Sequence, residues 1–82
     1  MSYYVYILRC ADDTLYTGMT DDIKRRLSLH NSGKGAKYTR GRGPVRLVYQ
    51  EECIDKSAAL RREAQIKRLT RGEKLRLINK LL

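Results

Sequence analysis

The chain contains no tryptophan and no phenylalanine, one proline, one histidine and two cysteines among 82 residues. With tyrosine as the only aromatic, six times over, any aromatic packed in the core must also find a partner for its hydroxyl. A lone histidine and two cysteines far apart, Cys10 and Cys53, cannot assemble a Cys2His2 zinc site or a disulfide framework. Such cysteines read as reduced, partly buried thiols of a cytosolic protein. No apolar run approaches the ~20 residues that cross a bilayer. The apolar start, Tyr3 to Leu8, has neither the basic flank nor the cleavage site of a signal peptide. The expectation is a soluble, cytoplasmic protein with no membrane segment, no zinc and, since the glycines match neither the P-loop nor GxGxxG, no nucleotide cofactor.

Acidic residues are missing from one stretch altogether. Residues 23–50 hold eight bases (Lys24, Arg25, Arg26, Lys34, Lys37, Arg40, Arg42 and Arg46) and no Asp or Glu, within a chain of formal net charge +9. A concentrated positive field attracts polyanions and speeds their encounter, so nucleic acid is the leading partner and an anionic membrane surface the lesser one. Charge alone does not select an enzyme, because basic ribosome-associated proteins carry the same field. At this length one core is all the chain can build, which predicts a single domain over residues 1–82.

What is present is ordered along the chain. Tyr3 to Cys10 and Thr14 to Met19 are rich in β-branched and aromatic residues on either side of Asp12-Asp13, which predicts a β-hairpin. Side chains alternate faces along a strand, so an odd-numbered connection puts Tyr6 and Tyr16 on the same face and a two-residue turn separates them. Thr20-Asp21-Asp22 supplies cap and first-turn acids for a helix to about Asn31, stopped by Ser32-Gly33. The segment from Gly33 to Pro44, with four glycines and four bases, reads as a mobile basic loop. Val45 to Cys53 reads as a strand on which Val45, Leu47 and Tyr49 alternate with Arg46, Val48 and Gln50. A helix from Asp55 or Ser57 to about Leu69 follows, and Thr70 to Glu73 forms a capping box for a last helix through Leu81.

The candidates for chemistry fall at defined places in this scheme. On the first helix Ile23, Arg26, Leu27 and His30 share one side, so a guanidinium and an imidazole lie on the face that packs against the sheet. Buried without partners they are costly, which is the pattern of a site. Glu63, three residues before Ile66, points toward the packed side of its helix. Each also has a plain structural alternative. Arg26 can snorkel or pair with Asp21 or Asp22, Glu63 can bridge to Lys67, and His30 can be a satisfied helix residue. Tyr6 and Tyr16 can be ordinary strand residues, while Lys37, Arg40, Arg42 and Arg46 are either contacts to a nucleic-acid backbone or a solvated face.

Taken together, their order resembles the GIY-YIG nuclease superfamily over almost the whole chain. Tyr4-Val5-Tyr6 stands where that family has its first tripeptide and Tyr16-Thr17-Gly18 where it has the second. Arg26 falls eight residues past Gly18, His30 one helical turn later, and Glu63 on the later helix. The run from His30 to Tyr49, with Leu60 to Lys67, is similar to the small, uncharacterised bacterial members that stand alone. Two departures are visible: the first tripeptide has no Gly-Ile, and Thr17 replaces an apolar residue. Asn79 is a weak counterpart of a further family asparagine.

The resemblance implies an α+β fold, a small three-stranded antiparallel sheet flanked by helices in the order β-β-α-β-α-α. It implies a phosphodiesterase site with one Mg²⁺ or Mn²⁺ held by Glu63. In it Tyr6 is general base or water-orienting group, helped by His30 or Lys37. Tyr16 hydrogen-bonds the phosphate or its water, and Arg26 stabilises phosphoryl charge. Arg26, His30 and Lys37 are expected to lower the Tyr6 pKa. Lys34, Lys37, Arg40, Arg42 and Arg46 are the candidate nucleic-acid contacts. The expected activity is metal-dependent cleavage of nucleic acid, DNA ahead of RNA and selective for structure, with a recruiting protein or self-association supplying targeting. The alternative is a non-catalytic nucleic-acid-binding module accessory to repair, recombination or the ribosome.

Overall fold

Val5, Tyr6, Ile7 and Leu8 are all buried, although alternate side chains of a strand face opposite ways. Their strand, β1 (Tyr3–Arg9), is therefore covered on both faces. It lies at the centre of a three-stranded antiparallel sheet of order β2-β1-β3, with β2 at Leu15–Thr20 and β3 at Arg46–Cys53. The computed structural model describes residues 2–80. Helices α1 (Ile23–Asn31), α2 (Lys56–Lys67) and α3 (Arg71–Asn79) complete the expected β-β-α-β-α-α order.

The hairpin connection is odd-numbered. Cys10 N donates to Thr14 O and Asp13 N to Cys10 O, both at 2.9 Å, closing a loop of Ala11, Asp12 and Asp13. Asp13 takes the left-handed φ of 69° that ends such a three-residue turn, a conformation aspartate tolerates better than most residues. Cys10 and Thr14 are used in closing the turn, so the strands end at Arg9 and begin at Leu15 instead of including them. The register pairs Tyr6 with Gly18 and Leu8 with Tyr16, which sets Tyr6 and Tyr16 diagonally on one face.

The third strand departs from simple alternation. Tyr49 pairs with Ile7 but Leu47 with Leu8, leaving Val48 as an extra residue in a β-bulge. Val45, Leu47 and Tyr49 therefore do not share a face as their spacing suggests. Tyr49 joins Val5, Ile7, Ala59 and Ile66 under α2 and α3, while Val45 and Leu47 join Tyr6, Leu8 and Cys10 under α1. One inserted residue lets the strand serve two cores.

The helices begin on the expected caps. Asp22 accepts from Arg25 N, Asp55 from Ala58 N, and Thr70 and Glu73 form the reciprocal capping box. Residues 68 and 69, expected within α2, instead close tight turns onto Gln65 O and Ile66 O, as helix ends commonly do. The expected helix end at Leu81 lies outside the described residues. At the end of α1 the Asn31 amide donates to Val45 O at 3.1 Å and accepts from Val45 N at 2.7 Å, pinning the start of β3 to the helix.

The segment between these anchors is not a featureless loop. Lys37–Thr39 forms a short 3₁₀ turn, Thr39 is buried, and Ala11 N donates to Arg42 O at 2.7 Å. The buried threonine gives the glycine-rich stretch an anchor that its composition conceals.

Candidate active site

Tyr6 on the central strand and His30 in the last turn of α1 meet beneath the loop. The Tyr6 hydroxyl lies 3.0 Å from His30 Nε2, and both residues are about 2% exposed. On the other side of the imidazole, Nδ1 is 2.8 Å from Thr39 Oγ1. Two glycines make room for this contact. A β-carbon at Gly18 would come within 2.6 Å of the Tyr6 oxygen, and one at Gly35 within 2.4 Å of His30 Nδ1. Tyr16 completes the cluster, its ring centroid 6.4 Å from that of Tyr6 and 5.3 Å from that of His30.

Arg26 enters from the same helix face. It lines a small space with Tyr6, Leu8, Ile23, Leu27 and Leu47, in agreement with the helical spacing. The two acids that its sequence position offers as partners are otherwise engaged, Asp21 with Arg25 at 3.8 Å and Asp22 as the helix cap. Among the described residues Arg26 forms no ion pair within 4.0 Å. Its guanidinium is a fixed cation directed at the Tyr6 hydroxyl, with no carboxylate neutralising it among the described residues.

Glu63 acts on the same two tyrosines with the opposite sign. Its side chain is 19% exposed and its ion pair, with Lys67, is long at 3.8 Å. Burial raises the pKa of Tyr6 and of Tyr16; Arg26 counters that rise in both, and Glu63 adds to it. Of the three cations expected to lower the Tyr6 pKa, only Arg26 does so, and desolvation outweighs it, so the net direction is upward. His30 moves the other way. Burial foremost, then Arg26, depresses its pKa, so the imidazole is neutral at pH 7. The resting pair is a neutral phenol beside a neutral imidazole, and proton transfer from Tyr6 requires an acceptor in direct contact.

Among the described residues, no group of three or more His, Cys, Asp and Glu could hold a metal unaided. A single partly buried carboxylate still fits Mg²⁺ or Mn²⁺, since such ions keep several waters and take substrate phosphate oxygens as ligands.

The basic residues divide into two kinds. Lys34, Lys37, Arg40 and Arg46 are exposed, and none of the ion pairs among the described residues uses them. Arg42 is already engaged. Its Nη1 is 2.5 Å from Asp12 Oδ2 and its guanidinium lies 4.5 Å from the Tyr38 ring centroid, with Tyr38 in turn stacked on Tyr16 at 5.8 Å. Thr39, Gly35 and Tyr38 are site residues that the sequence did not reveal. The only signal was a tyrosine and a threonine inside a stretch otherwise built of glycine and bases apart from Ala36 and Pro44. Asn79 sits exposed on α3, and among the described residues no side-chain hydrogen bond involves it.

The profile of the GIY-YIG catalytic domain matches residues 2–76. This chain belongs to the GIY-YIG family. Its relatives in that family are small proteins of similar length. The UPF0213 protein OB0043 of Oceanobacillus iheyensis is 57% identical over 76 residues, 93% of this chain and 88% of the relative. The UPF0213 protein CPE1444 of Clostridium perfringens is 58% identical over 76 residues, 93% of this chain and 82% of the relative. The solution NMR structure of the UPF0213 protein BH0048 from Bacillus halodurans superposes with a TM-score of 0.62 at 52% identity, covering 96% of this chain and 84% of that one. That of EF2693 from E. faecalis gives 0.67 at 41% identity, covering 99% and 86%. The GIY-YIG family is one of nucleases, and the three-stranded sheet with its flanking helices is its fold.

Proposed function

We propose that the chain is a metal-dependent endonuclease that hydrolyses phosphodiester bonds of nucleic acid, DNA ahead of RNA, selecting a structure such as a branch, flap or lesion. One observation carries this reading. A cation, Arg26, and a partly buried carboxylate, Glu63, bear on the same two tyrosines without pairing with each other within 4.0 Å. A phosphodiester needs both kinds of group. Arg26 binds its non-bridging oxygens and stabilises the charge that develops on them. Glu63 would hold Mg²⁺ or Mn²⁺, which when bound neutralises phosphate charge and the leaving 3′ oxygen. Tyr16 hydrogen-bonds the phosphate or the water beside it. Tyr6 orients the attacking water, accepts its proton at the hydroxyl oxygen and passes its own to His30 Nε2. Exposed Lys34, Lys37, Arg40 and Arg46 supply sequence-independent contacts to the backbone.

The second reading, a binding module without catalysis, draws on the raised Tyr6 pKa and the single carboxylate. The two readings differ in what Glu63 does. Wild type, Glu63→Ala and Arg26→Ala are incubated with labelled linear, single-stranded and branched DNA and RNA in Mg²⁺, Mn²⁺ or EDTA. Cleavage by wild type alone, stopped by EDTA and by both substitutions while Glu63→Ala still binds, is the outcome expected of the nuclease. Binding by all three with no cleavage of any substrate sinks it in favour of the module.

A further inference from the structure

We propose that Thr39 is a positioning residue that fixes the tautomer of His30, so that Nε2 presents a lone pair to the Tyr6 hydroxyl. The inference rests on the nuclease reading for its catalytic meaning but not for its structural content. Thr39 has one hydroxyl proton and two neighbours for its oxygen. Its Oγ1 donates to Ala36 O at 2.9 Å, which spends that proton. Toward His30 Nδ1, 2.8 Å away, the same oxygen can then only accept, so Nδ1 carries the imidazole hydrogen. A neutral imidazole has a single N–H, which leaves Nε2 as the acceptor 3.0 Å from Tyr6. The Ala36 N–H also reaches Nδ1, but at 3.4 Å it lies beyond the usual range and does not outweigh the shorter contact.

The consequence for the reaction is directional. With Nε2 unprotonated, the Tyr6 hydroxyl hydrogen moves to His30 as Tyr6 takes one from the attacking water; the resulting hydroxide oxygen bonds to phosphorus as the bond from phosphorus to the 3′ oxygen breaks, its electron pair leaving on that oxygen, and His30 becomes imidazolium. With the opposite tautomer Nε2 would donate to Tyr6, and the relay would have no acceptor. Thr39 is 1% exposed and held by the 3₁₀ turn, and Gly35 allows the chain to pass close enough for it to reach the ring. The charged and titratable groups that bear on the imidazole are Tyr6 from β1, Tyr16 from β2 and Arg26 from its own helix, while Glu63 from α2 acts on the two tyrosines. None of them contacts Nδ1, so the tautomer falls to Thr39.

His30 is the only histidine, so ¹⁵N spectra of the labelled full chain show a single imidazole ring. At neutral pH without metal, wild type is expected to show Nδ1 protonated and Nε2 unprotonated. Thr39→Val, similar in shape but without the hydroxyl, is expected to move the population toward Nε2–H, and Thr39→Ser to restore it. Nε2 protonated in wild type, or a tautomer indifferent to Thr39→Val in a folded variant, overturns the proposal. The wild-type spectrum decides even if Thr39→Val does not fold. On a cleaved substrate Thr39→Val should lower kcat by about tenfold or more, with KM within about twofold and recovery in Thr39→Ser. If wild type shows the expected tautomer yet cuts nothing, the nuclease reading fails and the positioning role stands.

Discussion

Gly18 lies against the Tyr6 ring across the β1–β2 pair, so closely that a β-carbon there would sit 2.6 Å from the phenolic oxygen and 2.8 Å from Cζ. The glycine of the second tripeptide is thus the floor on which the first tripeptide's tyrosine rests. Tyr16 Cε2, 3.1 Å from the same point, closes the other side.

Gly18→Ala is therefore expected to push the Tyr6 hydroxyl off His30 at an overpacking cost of about 1–3 kcal/mol. Urea unfolding followed by circular dichroism gives the stability loss, and the His30 ring signals report the lost contact. A variant as stable as wild type with an unchanged His30 environment would show that the strand relaxes around the methyl group.

The neutral, buried His30 makes stability depend on pH with a definite sign. Its folded pKa lies below the roughly 6.5 of an unfolded histidine. Between those values the unfolded chain binds a proton that the folded chain does not, so stability rises with pH. The contribution is complete above about pH 6.5 and is lost as pH falls through the folded value. Thermal unfolding is expected to show Tm dropping as pH falls below about 6.5, more steeply in wild type than in His30→Gln. Equal slopes would mean that other groups govern the acid limb.

The two kinds of base predict two kinds of salt dependence. Replacing Lys34, Lys37 or Arg40 by Ala should each weaken duplex binding and reduce the slope of log K against log salt by about 0.9 for every phosphate contact removed. Arg42→Ala should change the slope less, because Asp12 already neutralises that guanidinium in the free protein. Binding titrations over a range of KCl concentrations measure both. A larger slope change for Arg42 than for Lys37 would show that substrate phosphate displaces Asp12.

The hairpin, the three helix caps and the shared face of Ile23, Arg26 and Leu27 were legible because each depends on residues close in sequence. The face shared by Tyr6 and Tyr16 was legible only conditionally. It depended on a loop length, and the left-handed Asp13 decided it. What escaped was set by distant partners. The Val48 bulge exists because two cores on opposite sides of the sheet both need a residue from β3. The rise in Tyr6 pKa comes from burial, which no count of nearby bases anticipates. Thr39 was hidden for the same reason: its partner His30 lies nine residues away, across a segment that reads as unstructured.

The bulge has one more effect. As an edge strand, β3 presents an outer row of unpaired amides and carbonyls, a template that a second copy could extend. The extra residue at position 48 breaks that row into two short runs out of step with each other, and exposed Arg46 and Glu52 set unlike charges near its two ends. An interrupted edge of this kind keeps copies that come close to one another from stacking edge to edge into fibres.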